Sequence, residues 1–326
     1  MNVLILGGHG FIGCHVSNIL KFQGHNVSVV DCYHQYHIFP DWEYQPVLEQ
    51  RKDWANADSV HIGKIEDEHF LEHTFRDSKP DVVIHLATYP NAHMVKNNPV
   101  DATGNMITAN INILNACVKH NVKRIVFSSS SMVYGDFLTD SPDETHPTNP
   151  LTLYGSYKLQ GEKMCEIWNR EHGLEYVIMR PSALYGTRDM IVRVISQMTK
   201  SALLHDKIVV NGPDNKLDFS YVEDVADYFV GVAFHPDAKN QKFNCTRGRG
   251  RTIMEAAELV QECVDKGFIE TKPHDAFYPN RDTLDSSKIK QVLGYTPTTD
   301  IEQGIPLYVN WFLKQKLVYI FKIHLL

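Results

Sequence analysis

Residues 3–13 read VLILGGHGFIG, an apolar run that passes directly into a glycine-rich turn. Four consecutive apolar residues before glycine predict a buried strand, and the apolar spacing that follows predicts a helix. Gly7, Gly10 and Gly13 then occupy the turn between them. In such a turn one glycine permits a tight bend, one lets the backbone approach a pyrophosphate, and one lets helix and strand pack closely. The stretch predicts a βαβ unit that binds a dinucleotide.

The predicted helix presents its first backbone N–H groups, those of Phe11 and Ile12, to a phosphate, because a helix N-terminus has unpaired donors and a partial positive charge. Asp31 ends the next predicted strand, which begins at Asn26. A carboxylate there can accept hydrogen bonds from both hydroxyls of an adenosine ribose and would repel a 2′-phosphate. The sequence therefore predicts NAD rather than NADP. The alternative is an aspartate that only closes a turn.

Strands and helices alternate through the first half of the chain. Further strands are predicted near residues 81–86, 124–128 and 176–179, and further helices near 68–77, 102–120 and 154–172. This alternation predicts an α/β fold, a Rossmann-type doubly wound parallel sheet with a smaller C-terminal lobe. We place the NAD-binding sheet domain at 1–180, with 207–235 returning to it, and a substrate lobe at 181–326. Residues 32–57 are predicted to form a long loop.

The composition argues against several classes of protein. The 326 residues include 32 Lys+Arg and 39 Asp+Glu, and the net charge of −7 argues against nucleic-acid binding. No apolar run reaches the roughly 18 residues of a membrane span, and the immediate entry into a strand leaves no room for a signal peptide. Six cysteines without a CxxC pattern fit the reduced thiols of a cytoplasmic protein. We expect no metal, because no Cys–His set has zinc-like spacing.

A YxxxK pattern begins one predicted helix. Tyr154 and Lys158 stand at i and i+4 and therefore share a helix face. Free tyrosine has a pKa of about 10, and a neighbouring ammonium would lower that pKa toward a useful base. The strand at 124–128 runs into SSSSMVYG, residues 128–135, which places serine hydroxyls at the sheet edge where this fold binds ligands. Alternatively, these serines only satisfy backbone groups in a turn.

Together these motifs resemble the extended short-chain dehydrogenase/reductases, specifically the NAD-dependent nucleotide-sugar epimerase/dehydratase family of the UDP-glucose 4-epimerase type. Other similar segments are HLA at 85–87, KLDFSYVEDVA at 216–226 and LGYTP at 293–297. The similarity covers about residues 1–310. It implies an enzyme with NAD as cofactor, a nucleotide-diphosphate sugar as substrate, and a homodimer formed by two long helices of each chain.

The resemblance also implies roles for individual residues. Ser130 would hydrogen-bond the reacting oxygen, Tyr154 would be the acid and base, and Lys158 would hold the nicotinamide ribose. The residues implied to lie beside the cofactor, besides the glycine turn and Asp31, are Lys64, Ile65, Leu86, Ala87, Thr88, Asn105 and Ser182.

The chain departs from the family pattern in its substrate contacts. Ala183 and Leu217 stand where members often carry the asparagine and arginine that bind the substrate diphosphate. The candidates for substrate contacts are Ser131, His93, Lys216 and Arg281. For His93 the alternative is an ordinary surface-loop histidine.

Dehydration is disfavoured, because Ser131 and Met132 occupy the positions where dehydratases of the family carry an acidic pair. The leading hypothesis is an NAD-dependent epimerase that acts at C4 through a transient 4-keto sugar. A nucleotide-sugar 4-ketoreductase or 4-dehydrogenase is the alternative, since the same three side chains serve net redox. A non-catalytic dinucleotide sensor is a third hypothesis.

The remaining expectations concern surfaces. Apolar positions on the two long helices (Met106, Ile113, Cys117, Met164, Ile167 and Trp168) could face either the sheet or the implied dimer partner. The apolar tail at 317–326 is too short to span a bilayer. We expect the tail to pack on the chain itself or on a partner, with an interfacial anchor as the alternative.

Overall fold

The computed structural model describes residues 1–35, 41–190 and 193–315, so the expectation for the tail lies outside the described residues. The strands are β1 Asn2–Leu6, β2 Asn26–Asp31, β3 Ser59–Ile62, β4 Val82–His85, β5 Arg124–Ser128, β6 Glu175–Arg180, β7 Ala183–Tyr185, β8 Lys207–Asn211, β9 Lys216–Tyr221, β10 Gln241–Asn244, β11 Gly250–Thr252 and β12 Phe268–Lys272. The helices are α1 Phe11–Phe22, α2 Asp41–Ala55, α3 Glu68–Ser78, α4 Ala92–Asn97, α5 Pro99–Thr103, α6 Ala109–Lys119, α7 Leu153–His172, α8 Val194–His205, α9 Val222–Phe234, α10 Ile253–Val264, α11 Ser287–Leu293 and α12 Ile301–Lys314.

Seven parallel strands form the main sheet, in the order β10-β6-β5-β4-β1-β2-β3. α1 and α9 cover one face, and α3, α6 and α7 cover the other. Because both faces are covered, the central strands are continuous apolar runs. Chain order reverses where β1 lies between β2 and β4, and ligands bind outside the carboxyl ends of strands at such a point. The predicted Rossmann-type sheet is confirmed.

The smaller lobe is built on two short sheets, β11-β9-β7 and β12-β8. α8, α10 and α12 pack on them around a separate apolar core that includes Tyr185, Phe219 and Val260. The segment that returns to the main sheet differs from the predicted 207–235. β8 and β9 belong to the lobe, whereas α9 packs on the main sheet and β10 extends it beside β6. Pairing between distant strands decides this boundary, and such pairing has no local signature.

α2 occupies much of the predicted loop, so that prediction is wrong for residues 41–55. The segment contains an internal proline and no clear apolar stripe, which is why periodicity indicated no helix. Long-range contacts hold it instead. The Trp311 indole N–H donates to Gln50 Oε1 over 3.1 Å, and Lys200 Nζ lies 2.5 Å from Glu43 Oε1. α2 thereby joins the sheet domain to the lobe.

The helix predicted near 102–120 is interrupted between α5 and α6 by a π-helical turn at Gly104–Thr108. The Asn110 amide donates to the Met106 carbonyl over 2.6 Å, and the buried His85 ring bonds Asn110 Oδ1 over 2.8 Å. π turns within helices occur frequently at functional sites. This one carries Asn105 to the wall of a cleft.

Candidate active site

A long cleft lies at the carboxyl ends of β2, β1, β4 and β5, where the sheet order predicts a ligand site. The predicted residues that line it are Gly7, Gly10, Phe11, Ile12, Gly13, Asp31, Ile65, Leu86, Ala87, Thr88, Asn105, Ser130, Tyr154, Lys158, Ser182 and Arg281. Lys64 is an exception, because its side chain is exposed and only the neighbouring Gly63 and Ile65 line the cleft.

The glycine turn packs too closely for side chains, as Gly7 and Gly13 show. Gly7 has a φ of +81°, and a Cβ on Gly13 would lie 2.2 Å from the Gly7 carbonyl oxygen. Gly10 is the N-cap of α1, and it supplies no side-chain cap. The first turn of α1 also lacks an acidic residue. These helix N–H groups therefore fit an anionic ligand group such as a pyrophosphate.

Asp31 is held at the other side of the turn. Its Oδ2 accepts a hydrogen bond from the backbone N–H of His9 over 3.1 Å, and its Oδ1 accepts one from that of Tyr33 over 2.9 Å. Each carboxylate oxygen can accept a further hydrogen bond, as ribose hydroxyl groups would provide. The His9 ring and the Tyr33 hydroxyl are themselves 3.0 Å apart, which ties the glycine turn to the segment after β2.

Asn105 leaves one buried polar atom unsatisfied. Its Nδ2 donates to Glu66 Oε1 over 3.2 Å, but its buried Oδ1 has no hydrogen-bond partner among the residues that the structure describes. An unpaired buried acceptor is costly, so a donor from a bound ligand fits here. With Asp31 and the uncapped N-terminus of α1, this atom makes a cleft whose residues fit NAD.

The predicted catalytic side chains converge beyond the end of β5. Lys158 Nζ lies 5.7 Å from the centre of the Tyr154 ring, and it donates to the Ser128 carbonyl oxygen over 2.7 Å. Lys158 is only 3% exposed. The Ser130 hydroxyl accepts from the Met132 backbone N–H over 3.2 Å, and its interaction with Tyr154 lowers the pKa of that phenol.

The charges around Tyr154 differ from the sequence-based expectation. Burial raises the pKa of Tyr154, and the positive charges of Arg193 and Arg281 and the hydrogen bond with Ser130 oppose this rise. Burial also lowers the pKa of Lys158 to about 7, against the charge of Glu162. In the protein alone, the cations that act on the Tyr154 hydroxyl are therefore chiefly two arginines rather than Lys158.

Lys158→Met should stabilise the NAD-free protein, and more so at low pH. The pKa of Lys158 falls from 10.5 in the unfolded chain to about 7 on folding. Between these values the unfolded chain holds more protons, so the stability of the wild type rises with pH, and the full penalty for the buried ammonium persists below about pH 7. Urea unfolding should show a larger gain for the variant near pH 6.5 than near pH 9. An equal gain at both values would contradict this expectation.

A second cavity opens beside the catalytic side chains, between α4, α8 and the loop before α11. Ser182, Arg193, Tyr278 and Arg281 line both the cleft and this cavity, and we call them the junction. The residues that give the second cavity an apolar wall are Ala183, Leu184, Ile195, Met198, Leu217 and Phe219. The positions without the family's diphosphate-binding side chains therefore do line a ligand-sized space.

The other substrate candidates lie around this cavity. The His93 ring stacks on Phe277 with centroids 4.3 Å apart and meets Tyr278 edge-on at 5.2 Å. Lys216 Nζ lies 3.6 Å from Asp282 Oδ2, with its side chain about half exposed. His93 and Lys216 therefore belong to the second cavity and not to the immediate surroundings of Tyr154.

Sequence reasoning missed several residues of the site. The cleft and junction also include His9, Tyr44, Arg51, Arg193 and Tyr278. His9 could have been found, because it lies inside the glycine turn. The others come from α2, from the start of α8 and from the loop after β12, and nothing in their local sequence places them at the cleft.

Residues 1–35, 41–190 and 193–315 contain neither a membrane-spanning helix nor a cluster of metal-binding side chains. Within these ranges no helix is long and apolar enough to cross a bilayer. The same residues hold no group of three or more His, Cys, Asp or Glu side chains that could bind a metal ion. All six cysteines are free thiols.

The fold and the cleft, with Ser130, Tyr154 and Lys158 at its end, define an enzyme of the short-chain dehydrogenase/reductase type. The chain belongs to the NAD dependent epimerase/dehydratase family, whose model matches residues 3–246. The predicted family, the enzyme class and the NAD cofactor are thereby confirmed.

Individual relatives match nearly the whole chain. A Methanocaldococcus jannaschii protein, itself named only provisionally as a UDP-glucose 4-epimerase, is 32% identical over 322 residues, which cover 95% of this chain and 97% of its own length. The UDP-glucose 4-epimerase of Thermotoga maritima, solved with UDP-glucose, is 29% identical with a TM-score of 0.85, covering 96% of this chain and 99% of its own. The Thermus thermophilus UDP-glucose 4-epimerase, solved with NAD, also has a TM-score of 0.85 at 23% identity, covers 97% of this chain and 100% of its own, and shows the shared fold.

Proposed function

We propose that this protein is an NAD-dependent epimerase that inverts C4 of a nucleotide-activated sugar through a transient 4-keto sugar. The observation that carries the proposal is the convergence of Ser130, Tyr154 and Lys158 beside the junction of cleft and second cavity. Ser131 and Met132 follow Ser130 and supply no acid for an elimination. The relatives named for UDP-glucose support a nucleotide sugar as the substrate.

In this reaction Tyr154 takes the proton of the C4 hydroxyl group, and Ser130 holds the same oxygen by a hydrogen bond. The glycine turn, Asp31 and Asn105 would hold NAD, which would supply a reversible hydride acceptor beside C4. Arg193 and Arg281 favour the ionised form of Tyr154. Lys158, anchored on the Ser128 carbonyl, binds the nicotinamide ribose. Tyr154 finally returns its proton to the new hydroxyl group.

The second cavity would hold the nucleotide. Its apolar wall suits the flat faces of a base, and the diphosphate needs positive charge that Ala183 and Leu217 do not supply. Arg193 and Lys216 line this cavity and supply such charge. Ser131 does not line either space, but it stands behind Arg281 and accepts its hydrogen bond over 3.1 Å.

The experiment is incubation of the purified protein with UDP-glucose, UDP-galactose and the corresponding N-acetylated and uronic sugars, followed by NMR analysis of the products. We expect the protein to interconvert two nucleotide sugars that differ only in configuration at C4. No net oxidation or reduction of NAD should accompany this reaction. Stoichiometric consumption of NADH on a 4-keto sugar, without interconversion, would instead support the ketoreductase. Binding of NAD with no sugar turned over would support the sensor.

Asp31→Ala should weaken NAD binding about tenfold or more, because it removes a charged acceptor of ribose hydroxyl groups. The preference for NAD over NADP should narrow, since the carboxylate no longer repels a 2′-phosphate. Asp31→Asn removes the charge of the side chain but keeps nearly the same shape. It should therefore narrow the preference for NAD over NADP while disturbing the glycine turn less than Asp31→Ala. Calorimetric titration with NAD and with NADP measures the loss of NAD affinity in each variant and the ratio of the two affinities. A wild type that prefers NADP would refute the assigned role of Asp31.

We also propose a cytoplasmic homodimer with the sheet domain binding NAD and the lobe binding substrate. Most of the apolar positions named for the dimer pack inside the chain, Met106, Ile113 and Cys117 among them. Ile111 on α6 and Ile167 on α7 are each 36% exposed and support pairing of these two helices with a partner. Sedimentation of the wild type and of an Ile167→Glu variant would test the dimer.

A further inference from the structure

Asp218 is a fully buried carboxylate in the lobe, on strand β9, and its side chain is 0% exposed. Its strand neighbours Leu217 and Phe219 line the second cavity. Successive side chains of a strand point to opposite faces. The Asp218 carboxylate therefore lies behind the wall of the second cavity and does not itself line that space.

Donors from three segments of the chain converge on this carboxylate. Its Oδ2 accepts from the backbone N–H of Leu284 over 3.2 Å and from that of Gly248 over 3.1 Å. Its Oδ1 accepts from the Ser220 hydroxyl over 3.4 Å and from the same Gly248 N–H over 3.2 Å. Asp218 thus joins β9 to the segment between β10 and β11 and to the segment between β12 and α11.

The segment between β12 and α11, residues 273–286, carries two of the four junction residues, and we call it the junction loop. These two residues are Tyr278 and Arg281, which line both the cleft and the second cavity. The Asn280 N–H donates to Asp136 Oδ1 over 2.7 Å. This bond ties the junction loop to the sheet domain just before Arg281.

The lobe holds the junction loop just after Arg281. Leu284 donates its N–H to Asp218, and Thr283 Oγ1 accepts from the Gly250 N–H over 2.7 Å. Gly250 lies opposite Asp218 in the pairing of β11 with β9, so both bonds join the loop to the same point of the lobe. Arg281 therefore lies between one anchor on each domain, and the second anchor depends on Asp218.

Arg281 is positioned mainly by the loop that carries it. Among the described residues, no carboxylate lies within ion-pairing distance of Arg281, and its buried Nε has no hydrogen-bond partner. Its Nη1 donates to the Ser131 hydroxyl over 3.1 Å. A displacement of the junction loop would therefore displace this side chain from the junction.

The Asp218 carboxylate accepts hydrogen bonds and is not one half of an ion pair in the described chain. Burial raises its pKa to about 6, although the backbone N–H groups oppose this rise. Lys290 of α11, whose charge acts on Asp218, donates instead to the Arg247 carbonyl oxygen over 3.0 Å. The charge is thus costly to bury, and the hydrogen bonds that Asp218 accepts are its contribution to the structure.

We propose that Asp218 is a positioning residue for the substrate, which fixes Tyr278 and Arg281 at the junction by holding the junction loop against β9. The inference rests on the proposed function, since it takes the second cavity as the nucleotide site. Without Asp218 the buried Leu284 N–H would lose its acceptor, and such a group is costly to leave unpaired. The loop would then move away from β9 to reach water. NAD binding should persist, because the glycine turn and Asp31 lie on the sheet domain.

The test compares Asp218→Leu with Asp218→Asn by the calorimetric Kd of UDP, UDP-glucose and NAD. Leucine has the branched shape of aspartate without an acceptor, so the Kd of UDP-glucose should rise about tenfold or more. Asparagine keeps one oxygen for the two N–H groups and can donate its amide to Ser220. Its Kd for UDP-glucose should stay within about threefold of the wild-type value, because these bonds are kept. The Kd of NAD should be unchanged in both variants.

Asp224→Leu is the matched control. Asp224 is also buried, and its Oδ2 accepts from the Thr299 backbone N–H over 3.1 Å, but it holds the chain after α11 and not the junction loop. This variant should lose stability in urea unfolding and keep its Kd for UDP-glucose.

Thr283→Val removes the neighbouring anchor and leaves the buried carboxylate in place. It should raise the Kd of UDP-glucose about threefold or more, and it carries the test if Asp218→Leu does not fold. Circular dichroism and NAD content report whether each variant has folded.

A double variant shows whether Asp218 acts through Arg281. Added to Arg281→Met, Asp218→Leu should raise the Kd of UDP-glucose by less than about threefold further, because the side chain that it positions is already absent. Additive losses, equal losses of NAD and UDP-glucose affinity, or a Kd as unchanged as in Asp224→Leu would overturn the inference. A wild type that binds NAD but neither UDP nor UDP-glucose would overturn the proposed function itself, and this inference with it.

Discussion

Tyr154→Phe should abolish turnover and leave NAD bound. The substitution removes the only group at the reacting end of the cleft that is assigned to proton transfer, and general acid–base catalysis contributes about 10²–10⁴-fold. The phenyl ring retains nearly all of the side-chain volume, so packing on α7 should persist. Initial rates with the preferred sugar and the NAD released on denaturation measure the two quantities.

Tyr157→Phe is the matched control for this experiment. Tyr157 lies one turn further along α7, and its hydroxyl is 2.8 Å from Thr103 Oγ1 rather than beside the catalytic serine. The control should keep its rate within about threefold, since a neutral hydrogen bond at the surface contributes about 1 kcal/mol or less. Lys158→Ala should differ from both, losing NAD affinity as well as rate. If Tyr154→Phe kept more than about a tenth of the activity, the assigned base would be wrong.

Glu162→Gln should cost about 3–5 kcal/mol of unfolding free energy, because it leaves a buried guanidinium group without its counter-charge. The side chains of Glu162 and Arg180 are 0% and 2% exposed. They form two parallel bonds, from Arg180 Nε to Oε1 over 2.8 Å and from Nη2 to Oε2 over 2.6 Å. Ser129 and Tyr134 complete the arrangement, the first by donating to Glu162 and the second by accepting from Arg180. Urea unfolding measures the loss.

Two further variants show whether the loss of stability in Glu162→Gln comes from the buried, unpaired charge of Arg180. Lys163→Ala removes the neighbouring exposed pair with Glu166, whose atoms are 2.9 Å apart, and it should cost less than about 1 kcal/mol. A double variant, Glu162→Met with Arg180→Met, should lose less than the two single variants together, because neither charge is then left alone. A single-variant loss as small as that of Lys163→Ala would show that water reaches Arg180.

The cofactor half of the site could be predicted because its constraints are local. Gly7 and Gly13 are required because neighbouring backbone atoms lie so close that a Cβ would clash with them. Tyr154 and Lys158 share a face by helix geometry alone. The first helix of the βαβ unit forms where the apolar spacing predicts it, directly after the glycine turn. The position of Asp31 could be predicted because it is the last residue of the second strand.

The substrate half could not be predicted to the same depth. Arg281 was only one of several candidates for positive charge, and its unpaired state depends on which carboxylates fold near it. Arg193 and Tyr278 reach the junction from elements far apart in the chain. Neither residue belongs to a periodic pattern that would indicate its destination.

Local sequence alone was thus sufficient for the βαβ unit, the glycine turn, the class of cofactor and the pairing of Tyr154 with Lys158. These features depend on backbone sterics and on periods of two and 3.6 residues, which act over a few neighbours. Tertiary structure alone decided the helical state of α2, the return of β10 to the main sheet and the charges around Tyr154. Burial and Coulomb interactions depend on distance in space, and segments distant in the chain set those distances only when the whole molecule has folded.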